Sequence, residues 1–150
     1  MKNCVVKGLC QCLAESYTIY LNTQKCHWNV EGPNFHSLHI MFEGQYKILA
    51  DYVDILAERI RGLESYAPGS FSEFEELSEV SQIEGFDVQA EEMIRILLNG
   101  YGTLIETMKK TAEKAEKKED SGTSDILIGQ IEQHEKTVWM LRSTLKKDGR

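Results

Sequence analysis

One apolar stripe constrains this chain more than any other feature. Between Asn34 and Leu63, the residues Phe35, Leu38, Phe42, Leu49, Val53, Leu56, Ile60 and Leu63 recur every three, four or seven positions. That spacing puts all of them on one side of a single long helix and is incompatible with strand alternation. A lone amphipathic helix cannot bury its own stripe, so the rest of the chain must supply partners. The segment from about Asn3 to Val30 does so with Val6, Leu9, Leu13, Tyr17 and Tyr20, and Glu31-Gly32-Pro33 breaks it from the next. Asn34 is the expected N-cap of the second helix. A third helix is expected from near Asp87, as its cap, through Ile94, Leu97, Leu98, Tyr101, Leu104, Ile105 and Met108, with Gly100 and Gly102 inside it. The fourth starts around Thr123 and carries Leu127, Ile131, Val138, Leu141 and Leu145. Between the second and third, Tyr66 to Gly85 reads as a long connection with one short helix at about Phe71 to Leu77. The fold class is therefore all-α: a four-helix bundle with a short helix in the connection between helices 2 and 3. At 150 residues the chain is one domain, 1–150.

Composition removes several classes of function. With 24 acidic and 17 basic residues the net charge is −7, a poor match for a protein built mainly to neutralise phosphates. No apolar run has the length to span a bilayer, and Met1-Lys2-Asn3-Cys4 is not followed by a signal-peptide core, so no membrane partner and a cytoplasmic location are expected. In that compartment Cys4, Cys10, Cys12 and Cys26 are expected to be free thiols, with Cys26 notable for its place beside His27.

The second helix also carries polar residues that could do chemistry. His39 and Glu43 stand four apart, as do Asp54 and Glu58. At about 100° per residue, Glu43, Asp54 and Glu58 lie within about 100° of His39, on one side of the helix. His27 ends the apolar stripe of the first helix, where it should meet the second. Imidazole with carboxylates is a ligand set for iron, manganese or zinc. Yet His39 and Asp54 are separated by about 22 Å of helical rise, so one chain cannot close a single metal site with both. Such a site would take His27, His39 and Glu43 from one subunit and Asp54 and Glu58 from another, across a two-fold axis with the second helices antiparallel. Spacing alone leaves a second reading open, in which Asp54 and Glu58 are solvated acids paired with Arg61 or Lys47.

The run Lys25-Cys26-His27-Trp28-Asn29-Val30-Glu31-Gly32-Pro33-Asn34-Phe35-His36-Ser37-Leu38-His39, followed by Phe42-Glu43, Tyr46 and Asp54-Ile55-Leu56-Ala57-Glu58-Arg59-Ile60-Arg61, resembles the signature of the Dps family, the ferritin-like mini-ferritins. The Glu-x-x-His motifs of ordinary ferritins are absent. The resemblance implies a ferritin-like bundle and a hollow dodecamer with centres at two-fold interfaces. It also implies ferroxidase activity: Fe²⁺, at most two ions per inter-subunit centre, is oxidised preferentially by hydrogen peroxide and stored as ferric mineral, protecting against oxidative stress.

His27, His39, Asp54 and Glu58 match the family's metal ligands, and Glu43 stands where Asp is common. Trp28 matches a Trp close to the centre, with an expected role as an electron donor. Asp125, with Asp120 and Glu116, resembles the family's acidic pore segment. His36 and His134 match no ligand position and are expected at the surface or in packing. DNA-binding members use a basic flexible tail. Here the first fourteen residues hold only Lys2 and Lys7, and the other end offers Lys146, Lys147 and Arg150, so weak or no DNA binding is expected. Alternatives are a cage that binds manganese or zinc, and a non-enzymatic shell, including one that protects DNA.

Overall fold

The expected helices form in the expected order: α1 (Cys4–Asn29), α2 (Phe35–Gly62), α3 (Phe71–Leu77), α4 (Ala90–Lys117) and α5 (Ser121–Leu145). The structure, a computed structural model, describes residues 4–146, and among these there is no strand. Helix α1 lies at the centre of the arrangement, packed on α2 along one side and on α4 along the other, while α5 packs mainly on α4. The short α3 lies across α1. It is set by a capping box: the Glu73 N–H donates to Ser70 Oγ, and Glu73 Oε2 accepts from the Ser70 N–H at 2.9 Å.

The central position of α1 changes which of its residues are buried. Tyr17 and Tyr20, expected on the core stripe, are only half-buried. The deepest row is Val5, Leu9, Cys12, Ser16, Ile19, Thr23 and Cys26, because a helix covered on two sides also buries its small polar residues. Thr23 is accommodated by donating its hydroxyl to the Ile19 carbonyl at 2.7 Å. Close approach of α1 and α4 depends on Gly8, where a Cβ would stand 2.4 Å from Thr111 Oγ1. Burial pushes the thiols of Cys12 and Cys26 up to about 12, which keeps both protonated at neutral pH.

The long connection is pinned to α1 by a buried amide. Asn22 donates Nδ2–H to the Ser81 carbonyl and accepts from the Ile83 N–H, each at 2.9 Å. Helix starts depart from expectation by a few residues. Helix α4 is capped at Gln89 and not at Asp87, since the backbone is still extended at Gln89 and Val88 already packs on the core. Asn34 occupies the N-cap position of α2 but makes no side-chain cap bond. Helix α5 begins at Ser121, where the Asp120 side chain accepts from the Thr123 N–H at 3.1 Å.

Candidate metal centre

The turn between α1 and α2 places two imidazoles face to face. The Val30 N–H bonds the Cys26 carbonyl as α1 ends, Gly32 takes a φ of 114° that favours glycine, and the Phe35 N–H returns to the Gly32 carbonyl as α2 begins. His27 and His39 are thereby stacked, with ring centroids 3.8 Å apart and planes within 11°. Each ring bonds the other residue's backbone: His27 Nδ1 lies 2.8 Å from the His39 carbonyl, and His39 Nδ1 lies 2.7 Å from the His27 carbonyl. A carbonyl oxygen only accepts, so both Nδ1 atoms carry the proton. With Nδ1 committed to a carbonyl in each ring, Nε2 is the nitrogen left to offer a lone pair to a metal.

Glu43, one turn beyond His39 on α2, is half-buried, and its carboxylate lies 3.1 Å from Lys47 Nζ. Its pKa is lowered, first by the hydrogen bond and charge of Lys47 and to a smaller extent by the two histidines. Asp54 and Glu58 are exposed on the same continuous helix, toward its far end. They do not take the cationic partners the surface reading assigned. Lys47 is engaged by Glu43, Arg61 donates to the Ser65 carbonyl and lies over Tyr66, and Arg59 reaches Asp120. Among the described residues of one chain, no three His, Cys, Asp or Glu side chains gather closely enough to hold an ion. The structure thus brings His27 and His39 together with Glu43 nearby, and leaves Asp54 and Glu58 as a separate free carboxylate pair. Trp28, next to His27, is 62% exposed.

The sequence profile of the ferritin-like domain matches residues 6–150. The chain is also 31% identical to DNA protection during starvation protein 2 of Bacillus anthracis, over 98% of this chain and all of that protein. This chain belongs to the Dps family of ferritin-like proteins. Its fold superposes on Dps from Staphylococcus aureus with a TM-score of 0.92 at 33% identity, covering 96% of each chain. It likewise matches the Dps protein of Vibrio cholerae, described as a member of the ferritin-like diiron-carboxylate superfamily, with a TM-score of 0.90, 32% identity, and 95% and 89% of the two chains covered.

Several contacts of this Dps-family chain cannot be read from its sequence motif. Tyr46 meets the edge of His27 with centroids 5.3 Å apart, a contact set by the crossing of α1 and α2. Helical spacing gave no sign of it. His134 is fully buried between Tyr52 and Tyr101, and is a packing residue as expected; His36 is exposed. Glu116, Ser124 and the exposed Asp125 line one shallow depression at the α4–α5 corner, with the Ser124 hydroxyl donating to Glu116 at 3.3 Å. No described helix is long and apolar enough to cross a membrane.

Proposed function

We propose that this protein is a mini-ferritin that oxidises Fe²⁺, preferentially with hydrogen peroxide, at centres shared by two subunits, and stores the ferric product inside a dodecameric shell. The observation that carries this reading is the locked histidine pair. Two imidazoles fixed in the Nε2 ligand state, beside a carboxylate and on a helix that also carries two unpaired acids, form half of a metal site in search of its other half. Antiparallel pairing of two α2 helices around a two-fold axis brings Asp54 and Glu58 of one subunit to His27, His39 and Glu43 of the other, twice per interface.

In this reading the first Fe²⁺ binds between the histidines and the Asp54 and Glu58 carboxylates. A second is bridged through Glu58 or Glu43, whose longer side chain reaches inward once Lys47 releases it. Two ferrous ions supply the two electrons that take hydrogen peroxide and two protons to two waters, so no hydroxyl radical is released. Carboxylates near the α5 N-terminus give a negative field that draws Fe²⁺ inward. Trp28 stands ready to donate an electron to an oxidant formed beside it. The −7 charge of each chain opposes DNA binding, and Lys2, Lys147 and Arg150 lie outside the described residues. A gel shift at about 150 mM NaCl is expected to show no retained complex.

The test is anaerobic Fe²⁺ titration followed by peroxide, with the ferric absorbance recorded for wild type, His39→Ala and Asp54→Ala. Loss of rapid oxidation in each single variant supports a centre drawing on both ends of α2. Equal behaviour of all three proteins removes the ferroxidase reading.

A further inference from the structure

A continuous line of aromatic rings leads away from the histidine pair. Tyr46 touches His27 edge-on at 5.3 Å, Tyr20 meets Tyr46 at 6.0 Å, Tyr17 meets Tyr20 at 5.5 Å, and Tyr17 stacks on Phe74 at 4.7 Å. On the other side Phe35 stacks on His39 at 5.2 Å. All of these separations fall within the range of direct ring contact. The line therefore ends in phenylalanine at both extremes, with three tyrosines and two histidines between. A phenylalanine ring gives up an electron far less readily than a phenol, so a hole entering from the histidine side is confined to Tyr46, Tyr20 and Tyr17. All three tyrosines are half-buried, and Tyr17 borders a cleft against α3 formed with Phe71 and Phe74. Gln24 Nε2 donates to the Tyr20 hydroxyl at 3.1 Å, orienting the middle ring. Trp28 makes no ring contact with this line among the described residues.

We propose that Tyr46, Tyr20 and Tyr17 form a hole-transfer relay that carries oxidising equivalents from the metal centre to the α1–α3 surface. The relay rests on the ferroxidase reading above and extends it to the case in which only one iron is present. One Fe²⁺ then gives one electron to hydrogen peroxide, which needs two to become water. Tyr46 supplies the second, losing its phenolic proton as it becomes a neutral phenoxyl radical. In sum, Fe²⁺, hydrogen peroxide, one tyrosine and one proton give Fe³⁺, a tyrosyl radical and two waters. The hole then passes to Tyr20 and Tyr17: each phenoxyl gains one electron and one proton and becomes phenol again, as the next tyrosine loses one electron and one proton. A half-loaded centre thus discharges peroxide without releasing hydroxyl radical.

The experiment uses the assembled protein loaded with less than one Fe²⁺ per subunit and mixed anaerobically with peroxide. Freeze-quenched samples are read by electron paramagnetic resonance, with natural and ring-deuterated tyrosine. Peptide mapping locates oxidised tyrosines, and Fe²⁺ consumption is followed in parallel. The expected result is a radical signal that narrows with deuterated tyrosine, and oxidation products at Tyr17. In Tyr20→Phe, iron consumption is unchanged and the products at Tyr17 are lost while those at Tyr46 remain. Fe²⁺ consumption in wild type with no tyrosyl signal overturns the relay, as does undiminished Tyr17 oxidation in Tyr20→Phe. If peroxide does not consume Fe²⁺ in wild type, the ferroxidase reading fails first and the relay with it.

Discussion

Arg59 reaches from α2 to the residue that caps α5: its Nη2 lies 2.7 Å from Asp120 Oδ1, and its Nε–H donates to Thr123 Oγ1 at 2.9 Å. Burial by itself would raise the Asp120 carboxyl, but the Thr123 hydroxyl and N–H and the Arg59 guanidinium outweigh it and hold it below the usual range. The N-terminus of α5 is therefore tied to the turn of α2 that also carries Glu58. Asp120→Ala is expected to cost about 1–2 kcal/mol through loss of the cap. Because the folded carboxyl is the stronger acid, the stabilisation is complete above about pH 4 and fades as pH falls through the lowered value. Thermal unfolding of wild type and Asp120→Ala should differ at neutral pH and converge in strong acid.

The shared centre makes a prediction about mixtures. His39→Ala and Asp54→Ala subunits damage opposite halves, so a two-fold interface between one of each contains one centre with both defects and one with neither. Random co-assembly gives such mixed interfaces about half the time, and about a quarter of all centres become intact. Peroxide-dependent iron oxidation should recover to about that fraction of wild type after the two inactive variants are unfolded together and reassembled. Recovery should be absent when the separately assembled shells are merely mixed.

Burial pushes His134 down to about 4 from an ordinary value of 6.5. Between those values the unfolded chain takes up a proton that the folded chain refuses, so stability falls as pH is lowered through this window and is flat above it. The full drop is about 3 kcal/mol. Melting temperatures recorded from about pH 7 to about pH 4 should show a steeper decline for wild type than for His134→Gln, in which this titration is absent.

Gly8→Ala should be destabilising although it raises helix propensity. The added Cβ would meet the Thr111 side chain, whose Oγ1 is held by its bond to the Thr107 carbonyl at 2.8 Å. Overpacking of this kind costs about 1–3 kcal/mol. Thr111→Ala in the same chain should return part of the loss, and a double-mutant cycle on the unfolding midpoint measures how much.

Much of this molecule is written in local pattern. The stripe from Phe35 to Leu63 fixes α2, and the Pro68-Gly69-Ser70 break followed by Phe71 to Leu77 locates α3 at its observed bounds. The histidines and acids of α2 were legible because helical spacing and rise are nearly constant. What spacing does not encode is contact between elements. The burial of Ser16 and Thr23 follows from α1 having neighbours on two sides, and the Arg59–Asp120 tie joins residues 61 positions apart. Glu15, on the central helix α1, is fully buried, its Oε1 accepts from Gln11 at 2.9 Å, and burial raises its carboxyl. The Tyr46 contact with His27 belongs to the same class: it exists only once α1 and α2 cross.

The acceptors in the histidine pair are main-chain atoms, and this has a mutational corollary. Replacing His39 leaves a carbonyl at position 39, so His27 keeps its hydrogen-bond partner and its tautomer; the reverse holds for His27. Each imidazole is thus an independently inherited part. A lineage could lose or exchange one ring without unsetting the other, passing through a one-histidine intermediate whose remaining nitrogen is still aimed for metal.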